Sequence, residues 1–176
     1  MREVADDRQA KAILNRVYSL VIDSQSPQER GSGEDMGLPG FRFNFDTNPD
    51  FDLFLAMLLF NRPELARLFW ARDGTKRAAT VFQSSLLACL LCRNLVKLDF
   101  VHKDRNLRAA FEHTATQYET SAKRVLRLCS EANTERTLSA LEGRLPWCPG
   151  WTAVDLLVRA DCSRLVIETA DLCTAA

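Results

Sequence analysis

Lys76-Arg-Ala-Ala-Thr-Val-Phe-Gln-Ser-Ser-Leu-Leu-Ala-Cys-Leu-Leu-Cys-Arg-Asn-Leu-Val-Lys-Leu98 decides the fold. Its apolar residues recur near 3.6, not with the period of two that a half-buried strand shows. They do so on two faces: Phe82, Cys89 and Val96 on one, Leu87, Leu91 and Leu95 on the other. A helix apolar on both sides is sandwiched between neighbours. Thr75 stands where a cap is needed, so the stretch reads as a long helix with other helices packed around it.

The segments on either side supply those neighbours. Upstream, Asn48 can cap a helix whose first turn holds Pro49, Asp50 and Asp52. Proline suits that turn, and the helix dipole favours acidic side chains there. The helix runs through Phe51–Phe60 and is apolar almost all round. Asn61-Arg62-Pro63 breaks it and opens a second, Glu64–Arg72, which Asp73-Gly74 stops. Downstream, Asp104 opens the longest helix, to about Ala132, with Leu107, Phe111, Tyr118, Ala122, Val125 and Cys129 as its buried stripe. Asn133 and Thr134 restart a short helix carrying Leu138 and Leu141. Leu145-Pro-Trp-Cys-Pro-Gly-Trp151 is a tight connection, after which Thr152 caps Ala153–Ala160 and a final helix runs from Ser163 to Cys173. Residues 1–24 form an amphipathic helix on the stripe Ala10, Ile13, Leu14, Val17 and Val21. Residues 25–47, rich in Ser, Gln, Gly and Pro, form a flexible linker. Residues 48–176 are the helical domain. The expected class is all-α, with antiparallel helix pairs in an α-solenoid-like or irregular bundle.

Composition narrows the function. Among 176 residues, Lys+Arg and Asp+Glu are both 23, so the net charge is zero and exerts no long-range pull on nucleic acid or an anionic membrane. The longest apolar runs, Leu53–Phe60 and Leu86–Cys92, fall far short of the roughly 20 residues of a membrane span. The charged N-terminus lacks the apolar core of a secretory signal. The six cysteines are spread through apolar helical surroundings, which fits reduced thiols in the cytosol.

Candidate chemistry is sparse. Cys89-x-x-Cys92 has metal-like spacing, but no second close pair of Cys or His completes a zinc site. Its thiols sit deep inside a helix rather than at the N-terminus that would activate them. His102 falls in a polar turn and His113 on a solvated helix face, with no nucleophile arranged beside either. The acidic residues Asp46, Asp50, Asp52 and Glu64 serve capping, since no calcium-loop pattern surrounds them. Lys123, Arg124 and Arg127 form a wet helix face. Trp147 and Trp151 plug the corner between two helix pairs. No catalytic, cofactor or metal site emerges, so the chain reads as a non-enzyme.

Four strings, in order, resemble a known family. They are Asp52-Leu-Phe-Leu-Ala-Met-Leu-Leu-Phe-Asn-Arg-Pro-Glu-Leu-Ala-Arg-Leu-Phe-Trp70; the Ala/Ser/Leu-rich helix through Leu98; Tyr118-Glu-Thr-Ser-Ala followed by Leu126 and Cys129; and Leu145-Pro-Trp147 followed by Thr152-Ala-Val-Asp-Leu. Together they resemble the cytosolic helical region that precedes the membrane domain of melastatin-type (TRPM) cation channels. The chain departs from that pattern at Cys148, where the family usually has Gly, and at Ala153, where it often has Cys. The acidic pair after Cys129 is reduced to Glu131 and Glu135.

The resemblance implies a non-catalytic scaffold on the cytoplasmic side of a membrane, linking sensor domains to a pore. Its partners would be other channel subunits or adjoining channel domains, with a homo-oligomer as one form, and the chain itself a piece or short product of such a subunit. Arg62, Glu64, Trp70, Trp147, Trp151 and Asp155 are its candidate structural residues. An alternative reading is a stand-alone cytoplasmic adaptor for another protein, because Gly150-Trp-Thr-Ala-Val-Asp-Leu-Leu-Val-Arg-Ala160 resembles the start of an ankyrin repeat. Leu165, Val166, Ile167 and Leu172 predict an apolar end that self-associates, and Trp70 and Trp151 are expected to be buried.

Overall fold

The computed structural model describes residues 49–73, 78–145, 148–162, 165–167 and 169. The fold is all-α, with helices that pack in pairs and one small antiparallel sheet. The expected helix at 1–24, the linker at 25–47 and the caps Asn48 and Thr75 lie outside the described residues.

Helix α1 is Pro49–Leu59 and α2 is Pro63–Asp73. They pack against each other across the turn Phe60–Arg62. Asn61 makes that turn in the left-handed region, at φ 52°. The Arg62 N–H donates to the Met57 carbonyl at 2.8 Å, and the Asn61 N–H to Leu58 at 3.0 Å. These two bonds are the Schellman pair that satisfies the last carbonyls of a helix, and asparagine takes the place usually filled by glycine.

Helix α3, Ala78–Lys97, is the centre of the molecule. Every residue from Phe82 to Cys92 is buried. The two-faced pattern of its apolar residues thus corresponds to a helix enclosed all round. The polar members of that run are satisfied locally: the Ser84 and Ser85 hydroxyls donate to the carbonyls of Thr80 and Val81, each at 2.7 Å. A buried hydroxyl without a partner would cost about 1–3 kcal/mol, so this back-bonding is what makes serine tolerable here.

The short α4, Asp99–Lys103, follows at once. It corrects the expectation of a polar turn around His102. The His102 N–H donates to the Leu98 carbonyl, and Val101 is buried beneath the turn, so one apolar anchor is enough to close a helical turn in an otherwise polar stretch.

Helix α5, Arg105–Ala132, packs along α3. Asp104 caps it, its carboxylate accepting from the N–H groups of Asn106 and Leu107, both at 3.0 Å. Phe111, Thr114, Ala115, Tyr118, Ala122 and Leu126 are its buried face. The expected stripe therefore needs adjusting: Leu107, Val125 and Cys129 are half-buried, and Leu126 is the deeper residue at the C-terminal end. Asn133 caps α6, Thr134–Glu142, by accepting from the Arg136 N–H at 2.8 Å.

The connection that follows is a hairpin. Strand β1, Arg144–Leu145, pairs antiparallel with β2, Cys148–Thr152, matching Arg144 to Thr152 and Leu145 to Cys148 with a bulge between. The ladder gives the linking backbone partners that a plain loop would have to find in water. Helix α7, Ala153–Arg159, then packs against α3, α6 and β2. The chain is helical again at 165–167 and at 169. There Leu165 is buried, while Val166 and Ile167 are exposed. Leu172 lies outside the described residues.

Candidate functional site

Arg93 stands near the C-terminal end of α3, in the run Cys92-Arg-Asn-Leu95, where its neighbours at 92, 94 and 95 are buried. A guanidinium in such a place needs partners, because desolvating an unpaired charge is expensive. It finds them on two other helices. Its Nη2 donates to Glu119 Oε2 of α5 at 2.7 Å. Its Nη1 donates to the carbonyl of Ala160 and also lies 3.3 Å from Cys162 Sγ. One side chain therefore ties α3 to α5 and to the end of α7. Arginine suits this task better than lysine, since its planar fork offers several donors in fixed directions.

The local sequence explains why the end of α7 presents acceptors there. Asp161 has φ 52°, so the helix stops in the left-handed region. The Cys162 N–H donates to Leu157 at 3.2 Å and the Asp161 N–H to Val158 at 3.1 Å, a second Schellman pair. That turn folds Cys162 back under the helix and leaves the Ala160 carbonyl facing Arg93. Cations are favoured at helix C-termini because the last carbonyls carry partial negative charge.

Two thiols complete the cluster. Cys162 and Cys89 are both free and fully buried. The Cys89 thiol donates to the Ala115 carbonyl of α5 at 3.3 Å. The neighbouring Cys89 thiol lowers the Cys162 pKa; burial opposes this, and the charge of Arg93 reinforces it. Cys89 is shifted up by its neighbour Cys162 and by burial. Cys92 lies one turn along α3, where burial pushes its thiol up to about 12. The Cys89-x-x-Cys92 pair is thus divided: Cys89 engages α5 through the Ala115 carbonyl, while Cys92 stays in the core.

The opposite side of α3 and α5 is aromatic. The Tyr118 ring meets Phe54 at 5.7 Å and Trp70 at 5.9 Å, both edge-to-face, the arrangement that ring quadrupoles favour. Burial raises the Tyr118 pKa, so the phenol stays neutral. An apolar groove of about 530 Å³ lies where α3, α5 and α6 meet, lined by Phe82, Val125, Leu126 and Leu141 with Arg136 at its side. It offers shape and carbon rather than convergent reactive groups.

The residues singled out from sequence fall in separate places. Arg62 is exposed in the turn before α2 and Glu64 in the helix's first turn, where it faces Arg67 at 4.0 Å. Trp70 is half-buried against Tyr118, less enclosed than expected because the outer face of α2 is open. Trp151 is buried, and the Arg159 guanidinium lies 4.4 Å over its ring. Asp155 closes a capping box with Thr152: its carboxylate accepts from the Thr152 N–H at 2.7 Å, and the Thr152 hydroxyl accepts from the Asp155 N–H at 3.2 Å. Trp147 lies outside the described residues. Among the described residues, no three of His, Cys, Asp and Glu come together as metal ligands. His102 and His113 are exposed.

Sequence reasoning missed Arg93, Glu119 and Cys162 as a group. A basic residue directly after the apolar run 86–92 was the available signal, but nothing local indicates partners 26, 67 and 69 positions away. The arrangement can hold three helices in register, and among the described residues no helix is long and apolar enough to cross a membrane. Compared with known proteins, the chain matches the family model of the TRPM2-like domain over residues 13–167. No curated protein matches it.

Proposed function

The chain belongs to the TRPM2-like domain family, and from that premise we propose that it is a non-catalytic scaffold of a TRPM-like cation channel subunit. It links cytosolic sensor domains to the membrane pore and supports subunit assembly. The observation that carries the reading is the joint at Arg93, which fastens α3, α5 and α7 together. Helices enclosed in a close-packed core and pinned by directed polar bonds move as one piece, because packed interiors deform little. A body of that kind passes a displacement at one end to the other instead of absorbing it.

The outer surface supports the same reading. Phe60, Leu65 and Leu68 are exposed around α1 and α2, as are Phe100 on α4 and Val158 on α7. Adjoining domains or subunits would cover such side chains.

Expression of the chain together with a TRPM-type channel subunit tests this. We expect the chain to co-migrate with the detergent-extracted subunit and to change whole-cell current. A chain that leaves all of the subunit behind on extraction, and leaves the current unaltered, overturns the reading.

A further inference from the structure

We propose that the amphipathic segment Ala10–Val21 docks as a helix into the apolar groove where α3, α5 and α6 meet. This goes beyond the scaffold reading and does not depend on it.

The groove is shaped for aliphatic side chains. Phe82, Leu126 and Leu141 form its buried lining, and Val125, Cys129 and Ala140 add half-open carbon from α5 and α6. Its volume of about 530 Å³ is that of a pocket able to enclose a ligand. Carbon left facing water in such a concavity is unfavourable, and an amphipathic helix laid in the groove is one recurring way of covering it.

The segment carries the matching pattern. Ala10, Leu14, Val17 and Val21 recur at alternating spacings of four and three, the anchor pattern of a helix in a groove, and Ile13 widens the stripe. A helix this short is marginal by itself in water, so it needs a surface to fold against. The family match over residues 13–167 takes in most of the stripe and the whole groove as one domain.

Charge and reach agree with that occupant. Arg136 is the one charged side chain among the described residues that line the groove, and its guanidinium has no carboxylate partner among the described residues. On the segment, Asp7 stands three positions before Ala10 on the same helical face, so the stripe ends in an acid. Residues 22–48 join the stripe to α1 and can extend to roughly 90 Å. A folded chain of this size has a radius of gyration near ~14 Å, so the groove is within reach. A tethered segment acts at an effective concentration on the order of millimolar, which at micromolar protein favours it over the same segment of a second copy.

Cys129, in the groove wall, reports whether the groove is filled. The test follows alkylation of the full chain by iodoacetamide, resolving each cysteine by peptide mass spectrometry. The buried Cys89 and Cys92 serve as standards for an intact core. Leu14→Asp with Val17→Asp should speed alkylation of Cys129 about tenfold or more, because a carboxylate is expelled from a carbon-lined groove, while Cys89 and Cys92 stay unreactive. Asn15→Asp with Ser19→Asp, on the opposite face, should leave the rate unchanged. Asp7→Arg and Arg136→Asp should each quicken it by up to about fivefold, the range of an exposed ion pair, and together restore it. That charge swap leaves the core untouched and decides the matter even if the stripe variant unfolds. A Cys129 rate that neither the stripe variant nor the single charge variants alter overturns the proposal. So does a natural-chain rate that falls as protein concentration rises, which would assign the groove to a second copy.

Discussion

The helical layer of α3 and α5 is docked from two sides by different means. On one side, α1 and α2 lie against it through carbon: Phe51, Phe54, Leu55 and Leu58 are buried, and Phe54 and Trp70 close on the Tyr118 ring. On the other, α7 adds a directed bond to its smaller buried face of Ala153, Leu156 and Leu157: Arg93 donates to the Ala160 carbonyl, while the capping box at Thr152 and Asp155 and Arg159 over Trp151 brace the segment itself. Apolar contact is strong and non-directional, so it sets how tightly a piece docks and leaves its register loose. Hydrogen bonds add less net energy but fix position, since each is costly to leave unmade. A seven-residue helix brings few apolar side chains to the core, so the bond from Arg93 adds a fixed position to what Leu156 and Leu157 supply by packing.

Perturbations of each side should therefore differ in kind. The largest expected loss is on the apolar side. Phe54→Ala removes a ring that is 1% exposed and should cost about 3–5 kcal/mol, read as a lower urea midpoint.

Alkaline titration probes the core between the two sides. Cys92 is a fully buried acid whose pKa rises from the ordinary 9.0 to about 12 on folding. The folded state holds its proton longer than the unfolded chain does, so this contribution is complete below pH 9 and is lost as the pH climbs toward 12. It amounts to about 1.4 kcal/mol per pH unit within that window. Cys92→Ala should flatten the alkaline fall in stability, and an unchanged slope counts against the burial of this thiol.

Arg93→Met comes next. It keeps the length of the side chain but leaves Glu119 and the Ala160 carbonyl without their donor. We expect a loss of about 2–3 kcal/mol in urea unfolding, much of it the desolvation of the abandoned groups. Arg93→Lys should recover only part of that, because an ammonium is a compact point charge that lacks the fork reaching Glu119 and Ala160 together. Full recovery by lysine would show that charge alone, rather than geometry, makes the joint.

The smallest effect belongs to the cap. Thr152→Ala should cost about 1 kcal/mol and fray the start of α7, visible as faster amide exchange there. A change below a few tenths of a kcal/mol would mean that β2, not the capping box, starts the helix.

How much of this the sequence revealed follows the same division. Apolar periodicity and the breakers Asn61-Arg62-Pro63 and Asp104 placed the helices within a few residues, because burial leaves its pattern along the chain. The hairpin leaves no such pattern. Its first strand has two residues, too few to show alternation, and Pro149 and Gly150 in the second are residues that strands usually avoid. The short α4 escaped for a similar reason, as one buried Val101 makes no stripe. The joint was the least legible. A periodic pattern says that Arg93 departs from the apolar run but not what it meets, and its partners on α5 and after α7 become neighbours only once the core has closed. The types and contexts of Trp70, Trp151 and Asp155 point to structural roles, and the three lie at separate contacts.

The most direct measurement is amide hydrogen exchange across the whole chain in Arg93→Met against the natural sequence. If directed bonds position α7 while apolar contact positions α1 and α2, exchange should quicken over 153–162 and stay unchanged over 51–59. Equal acceleration in both segments, or none in either, would contradict the division of labour between the two sides.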